Sequence, residues 1–260
     1  MSSSSFRIHI IGVGHLGTAI VQGLLSSGLA PAQILFSENS LARQALLIKE
    51  LNIELYTQGP VDVTLLCIKP QQVESFELPK DYQSNLLVSL MAGTPIKMLQ
   101  TIAPQLPIAR AMPNLAAFYR QSATCIYLPA SYKNHHSMLD VLFNRLGHVI
   151  WLNDEHELDL ATSIVGSGPA FFLELIKSIY QLAPNKKTHE MIRYSLQSAL
   201  ALAHDPEDDL DDIIKAITSP GGTTQEGLKL IHQHKVGDFL QKAFAMAARK
   251  SRSIQEKKTN

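Results

Sequence analysis

The sequence predicts an α/β protein in which a doubly wound parallel sheet is followed by an all-helical region. Three observations carry this expectation. Strand-like and helix-like patterns alternate as far as Leu152. The strand-like runs are continuously apolar, as strands covered on both faces are. Beyond Leu152 the strand signal disappears and helical periods take over.

The elements follow in order. Residues 6–11 (FRIHII) are apolar and rich in β-branched side chains, and read as the first strand. Residues 15–27 place Leu16, Ile20, Leu24 and Leu25 at helical spacing, and Gly28 supplies the stop. Residues 34–37 and 41–51 repeat the strand–helix pair. Residues 53–56 and 61–68 read as strands, the second ended by Pro70. Residues 86–90 form another, followed by Gly93, Pro95 and a short helix to Ile102. Strands at 108–111 and 123–128, a helix at 137–146 and a last strand at 149–152 complete the alternation.

From Asp154 onward, residues 158–164, 170–182, 188–204, 210–218, 223–233 and 237–256 suit helices. The turn signals between them are Gly166 to Pro169, Pro184-Asn185, Asp205-Pro206 and Ser219 to Gly222. The domain boundary is therefore placed at Asn153/Asp154, giving a sheet domain of residues 1–153 and a helical domain of residues 154–260. The polar ends, 1–5 and 254–260, are expected to be loose.

Composition narrows the function classes. The 260 residues carry 23 Lys+Arg and 23 Asp+Glu, so the formal net charge is zero, which gives no support for a nucleic-acid partner. Hydrophobic residues make up 45%, enough for a substantial core. The apolar runs are interrupted by Gly, Pro or charge before a membrane span is reached, and residues 1–5 lack the start of a signal peptide. Cys67 and Cys125 sit in apolar stretches without metal-type spacing, so both are expected as buried free thiols in a reducing cytoplasm. His135-His136 and His232-x-His234 have no ligand-spaced Cys or carboxylate, and no metal site is expected.

Gly12, Gly14 and Gly17 form G-x-G-x-x-G (GVGHLG) between the first strand and the first helix. In that setting the first glycine permits a tight turn, the second lets the backbone approach a pyrophosphate, and the third lets helix and strand pack closely. The helix N-terminus supplies N–H groups. This is the signature of a Rossmann-type dinucleotide domain. Cofactor choice should be written after the second strand, at Ser37-Glu38-Asn39-Ser40 with Arg43 a turn later. Glu38 suits the free ribose hydroxyls of NAD(H); Ser37, Asn39, Ser40 and Arg43 could hold the 2′-phosphate of NADP(H).

Later strands end at Cys67-Ile68-Lys69-Pro70, at Met91-Ala92-Gly93 and at Arg110 to Asn114. Lys69 reads as a phosphate contact or a solvated cation. Gly93 reads as a close backbone approach to the cofactor or a plain turn. Asn114 reads as a polar anchor near the nicotinamide or a helix cap. In the second half, Ser219-Pro220-Gly221-Gly222-Thr223-Thr224 joins two helices. Its backbone N–H groups and hydroxyls make either a nest for a carboxylate or an N-capped connection.

The segments IGVGHLG, CIKP, VSLMAG, RAMPN, GSGPAF and TSPGGTT, in this order over nearly the whole chain, resemble the pyrroline-5-carboxylate reductase family. The resemblance implies a Rossmann domain followed by a helical dimerisation domain, and reduction of 1-pyrroline-5-carboxylate to L-proline by NAD(P)H. It implies pyrophosphate binding at Gly12, Val13, Gly14, His15, Leu16 and Gly17, with Ser37, Glu38 and Asn39 at the ribose. It places Cys67, Ile68, Lys69, Pro70, Ala92, Gly93 and Asn114 along the cofactor. Ser219, Gly221, Gly222, Thr223 and Thr224 would hold the substrate, with Thr224 at the ring nitrogen. The family presents this loop across a dimer interface, so the implied assembly is a homodimer or a larger one such as a decamer.

The chain departs from the family pattern in several places. Leu115 and Ala116 replace Thr and Pro after RAMPN, and Glu38 replaces a small polar residue. Lys177 stands at a usually acidic position, and Ala183-Pro184-Asn185 replaces Gly-Leu-Pro. NADP(H) is the cofactor the resemblance implies, and Glu38 admits NAD(H). Two other readings are open to the same residues: a catalytically silent nucleotide-binding regulator of the same fold, and a reductase of another cyclic imine. A β-hydroxyacid dehydrogenase is disfavoured, because Phe172 occupies the position of its catalytic lysine.

Overall fold

The computed structural model describes residues 6–205 and 207–256. Eight strands form one sheet: β1 (Ile8–Ile11), β2 (Ile34–Ser37), β3 (Glu54–Leu55), β4 (Val63–Leu66), β5 (Leu87–Ser89), β6 (Ile108–Met112), β7 (Ser122–Tyr127) and β8 (Gly147–Trp151). Their spatial order is β3-β2-β1-β4-β5-β6-β7-β8, so the chain reverses direction at β1, where such sheets open their ligand crevice. Helices α1 (His15–Ser26), α2 (Leu41–Leu51), α3 (Ile96–Ile102) and α4 (His136–Phe143) connect the strands.

Both faces are covered, which is why the strands read as unbroken apolar runs. One face packs Ile8, Ile10 and Phe36 with Ile20 and Leu24 of α1 and Leu139 and Phe143 of α4. The other packs Ile11, Leu35, Leu66 and Ile108 with Leu99 of α3. Each such buried side chain contributes about 1.5–3 kcal/mol relative to exposure.

The sheet is not wholly parallel, as the sequence had suggested. β7 runs antiparallel to β6, and β8 is parallel to β7. The physical reason is the short link from Met112 to Ser122, which holds only a 3-10 turn at Leu115–Tyr119. A parallel crossover needs a dozen or more residues, whereas this link suffices only to turn back.

The expected break at Gly166 to Pro169 is also absent. Helix runs without interruption from α5 (Glu157–Ala161) through a π-helical stretch, Thr162–Ser167, into α6 (Gly168–Tyr180). Pro169 falls at the start of α6, directly after the π stretch. There its missing N–H costs little. By length and composition alone the 24-residue run Glu157–Tyr180 could cross a membrane. Its first part is buried against the sheet, however, through Leu158, Ala161 and Val165 packing on Met112 and Cys125.

Helices α7 (Lys186–Leu202), α8 (Leu210–Ala216), α9 (Thr223–Gln233) and α10 (Val236–Glu256) follow. The chain divides into two compact units: Met1–Gly166 with Ala247–Asn260, and Ser167–Met246. The sheet ends at Trp151, close to the boundary placed at Asn153, but α5 and the last turns of α10 belong to the sheet unit. Ser251 of α10 donates to the buried Asp159 at 2.7 Å there. Ile254, expected in a loose tail, is part of α10. Residues 1–5 and 257–260 lie outside the described residues.

Within the unit Ser167–Met246, Ile192 is buried and Phe171 and Phe172 pack around Phe244. Most other apolar side chains are open, including Leu182 at 85%, Leu200 at 74% and Met191 at 63% exposure, more apolar surface than a lone soluble unit normally leaves bare.

Candidate functional site

A cleft of about 280 Å³ opens at the carboxyl ends of β1, β2 and β4. It is lined by Gly12, Gly14, Ser37, Glu38, Asn39, Cys67, Ile68 and Lys69, together with Gln72 and Phe76. Eight residues from three separate sequence segments that were expected at a dinucleotide thus converge here. Gln72 and Phe76 were missed. They lie in and just after a 3-10 turn, Pro70–Ser75, that the strand-ending role of Pro70 had hidden.

The three motif glycines differ in what surrounds them. Gly12 has φ +85°, and a Cβ there would meet Ile68 at 2.9 Å. A Cβ on Gly17 would lie 2.8 Å from the Gly12 carbonyl, so this glycine lets α1 close on the strand end. Gly14 is exposed, has φ −76°, and faces open space. Nothing in the fold requires glycine at 14, and the room it leaves is on the cleft. No side chain caps the first turn of α1, and no acid sits in it. This cradle fits a dinucleotide pyrophosphate, with the N-terminal peptide groups of α1 as donors. Val13 is buried, whereas His15 is exposed and Leu16 half-buried on that first turn.

Glu38 and Arg43 hold the two peptides that flank Val13 in the glycine loop. Glu38 accepts from Val13 N at 3.2 Å and from Ser40 N at 3.1 Å. Arg43 donates through Nε to Val13 O at 3.1 Å and through Nη2 to Thr18 Oγ1 at 2.6 Å. Arg43, one of the candidates for a 2′-phosphate, is thus turned towards the glycine loop. Ser40 is occupied as the N-cap of α2. Asn39 is exposed, as is Lys69, whose ammonium has no partner among the described residues. Cys67, expected to be buried, is only half-buried at the cleft, and desolvation pushes its thiol up to about 12, which favours the protonated form. Both cysteines are free.

Two expected cofactor positions are otherwise engaged. The side-chain space of Gly93 (φ +57°) faces Ser251 and Ile254 of α10, so helix packing explains this glycine. Ala92, beside it, is half-buried and packs with the Met112 cluster. Asn114 accepts from Ala116 N at 2.9 Å and donates to Val165 O at 3.1 Å. Its amide caps the 3-10 turn and ties it to the π stretch, which accounts for this asparagine without a cofactor.

The substrate-loop candidates form a separate feature within the helical unit. Ser219, Gly221, Thr223 and Thr224 are exposed, and Gly222, half-buried, is the N-cap residue of α9. Gly221 has φ +69°, which favours glycine, and a Cβ on Gly222 would displace the Ser219 hydroxyl. No side chain caps α9. Gln225 Oε1 accepts from Gly221 N at 2.8 Å, a partner the sequence did not reveal. The first-turn N–H groups of α9 and the Thr223 and Thr224 hydroxyls therefore meet solvent at a helix N-terminus, an arrangement suited to a carboxylate. Among the described residues no group of three His, Cys, Asp or Glu is placed to hold a metal ion.

The chain is similar to known proteins in both of its halves. Residues 155–254 match the family described as pyrroline-5-carboxylate reductase dimerisation, and residues 7–93 match NADP oxidoreductase coenzyme F420-dependent. The pyrroline-5-carboxylate reductase of Pseudomonas aeruginosa is 28% identical, covering 97% of this chain and 98% of that protein. Pyrroline-5-carboxylate reductase 2 of Bacillus subtilis is 28% identical over 96% of this chain and 95% of its own. The solved 1-pyrroline-5-carboxylate reductase of Streptococcus pyogenes superposes with a TM-score of 0.85 at 26% identity, covering 95% of this chain and 98% of that one. The chain thus carries a pyrroline-5-carboxylate reductase dimerisation domain at residues 155–254, and over nearly its whole length it is similar to pyrroline-5-carboxylate reductases.

Proposed function

We propose that the protein is an oxidoreductase that reduces 1-pyrroline-5-carboxylate to L-proline with NAD(P)H. The observation that carries this reading is the turn from Ser219 to Thr224. It presents uncapped helix N–H groups and two threonine hydroxyls to solvent, a receptor for one carboxylate on a small ring. Relatives named for this reaction, aligned from end to end, support it.

When bound, the reduced nicotinamide supplies a hydride to the imine carbon. The chain's own residues do the positioning. The first turn of α9 holds the substrate carboxylate, and Thr224 hydrogen-bonds the ring nitrogen. The glycine loop and the first turn of α1 hold the pyrophosphate. A protonated imine is already a good acceptor, so orientation carries much of the barrier reduction and no buried base is needed. Glu38 at the ribose end favours NADH, because its fixed carboxylate repels a 2′-phosphate.

The protein acts in the cytoplasm as a homodimer at least. Support comes from the two free thiols, from the apolar side chains open on the unit Ser167–Met246, and from the dimerisation match. As the resemblance implies, a second chain completes each site. Comparing 1-pyrroline-5-carboxylate with 1-pyrroline, which lacks the carboxylate, tests the reading. The carboxylate should raise kcat/KM about tenfold or more; equal efficiency for the two would overturn it.

A further inference from the structure

β1 carries a histidine where its neighbours are aliphatic. His9 is 2% exposed and stacks on Tyr56 at 4.2 Å. Its Nδ1 lies 2.6 Å from the Tyr82 hydroxyl and its Nε2 2.8 Å from Ser37 Oγ. Tyr82 continues to Thr64 Oγ1 at 2.5 Å, Thr64 to Ser84 Oγ at 2.9 Å, and Ser84 to the Leu86 carbonyl at 3.0 Å. A polar chain thus crosses beneath the sheet from β5 to the end of β2, and its last member, Ser37, lines the cofactor cleft.

The far end of this chain fixes the direction of every bond in it. The Leu86 carbonyl can only accept, so Ser84 donates to it. Ser84 must then accept from Thr64, Thr64 from Tyr82, and Tyr82 from His9 Nδ1–H. Burial lowers the His9 pKa to about 3, so the ring is neutral and Nε2 carries a lone pair. Ser37 therefore donates its one proton inward to His9 and offers only lone pairs to the cleft.

We propose that His9 and Tyr82, acting through the Ser37 proton, are specificity-determining positions that make the ribose subsite an acceptor and select a free 2′-hydroxyl over a 2′-phosphate. The inference rests on the dinucleotide reading above and deepens it. Ser37 and Glu38 together then present acceptors to a ribose hydroxyl that donates. A 2′-phosphate, itself an acceptor, finds no hydroxyl proton at Ser37. A serine at the end of β2 is in itself compatible with NADP(H); the buried histidine behind it reverses that meaning. His9 and Tyr82 are positioning residues, since neither is among the residues that line the cleft.

Two measurements test this. Nitrogen-15 NMR of the imidazole side chains should find His9 protonated at Nδ1 and bare at Nε2; the opposite tautomer overturns the proposal. Calorimetric affinities for NAD+ and NADP+ form the second test, on wild type, Tyr82→Phe, Ser37→Ala and the double variant. Wild type should bind NAD+ more tightly. Tyr82→Phe removes the acceptor for Nδ1–H and lets the tautomer invert, freeing the Ser37 proton. The affinity ratio should move at least about threefold towards NADP+. In the Ser37→Ala background the same change should move nothing. An unchanged ratio in Tyr82→Phe, or an equal shift without Ser37, overturns the inference while leaving the dinucleotide reading intact. Failure to bind either nucleotide overturns both.

Discussion

Arg110 donates to Glu155 at 2.9 Å, with the Arg110 side chain only 2% exposed. The same carboxylate oxygen accepts from Ile96 N at 2.7 Å, at the start of α3. Burial lowers the Arg110 pKa and Glu155 opposes that, so the pair holds a charge that the sheet end could not otherwise keep. Arg110 Nε has no partner among the described residues, so the guanidinium depends the more on Glu155. Glu155→Ala removes the hydrogen-bonded partner of this charge and leaves only the attraction of the buried Asp159, so it should lower unfolding stability by about 3 kcal/mol. Urea titration checks it; a loss below about 1 kcal/mol would mean that water replaces the carboxylate.

Gly14 and Gly17 should separate ligand from fold. Gly14→Ala meets no protein atom and should keep the melting temperature nearly unchanged. Its methyl enters the pyrophosphate cradle, and nucleotide affinity should fall about tenfold or more. Gly17→Ala forces α1 away from the Gly12 carbonyl and should cost about 1–3 kcal/mol of stability. Thermal melts and nucleotide titrations of both variants read this out. If Gly14→Ala binds nucleotide normally, the cradle is assigned to the wrong ligand.

Glu38→Ser removes a carboxylate that also holds the Val13 peptide. The ratio of kcat/KM for NADH to that for NADPH should fall about tenfold, the worth of one charge-assisted contact near 1.4 kcal/mol. Steady-state rates with both nucleotides test this, and an unchanged ratio would leave Glu38 a clamp on the glycine loop alone.

Thr224→Ala should lower kcat/KM with 1-pyrroline-5-carboxylate by about 5-fold to 150-fold, corresponding to about 1–3 kcal/mol for a lost hydrogen bond at the ring nitrogen. Thr224 is exposed and outside the core, so the melting temperature should hold. A change within about twofold would remove Thr224 from the site.

His9 gives a pH dependence with a definite sign. Its pKa falls from 6.5 to about 3 on folding, so the unfolded chain binds more protons between those values. The contribution of His9 is full above pH 6.5 and is lost as pH falls towards 3, at up to about 1.4 kcal/mol per pH unit. Unfolding curves between pH 7 and 4 should therefore be less steep with pH in His9→Phe than in wild type. Equal slopes would mean that His9 can take up a proton without unfolding.

Much of this was legible in the sequence because periodicity and punctuation are local. The strand-turn-helix around residues 12–17 and the helix from Thr223 to Gln233 follow from glycine placement and apolar spacing alone. What was hidden depends on distant partners. The antiparallel turn into β7 is a matter of linker length, and the π stretch before Pro169 one of hydrogen-bond register. Asn114 and Gly93 are explained by Val165 and α10, far along the chain. His9 was passed over in the sequence as part of an apolar strand, because its meaning needs Tyr82 and Ser37, 73 and 28 residues away.

The most direct test mixes the purified full-length protein with 1-pyrroline-5-carboxylate and, in parallel, NADH or NADPH. Loss of reduced-nicotinamide absorbance is followed and the product identified by chiral chromatography. The account predicts saturable oxidation with L-proline formed mole for mole, and NADH the more efficient reductant. Absence of turnover with both nucleotides would contradict it.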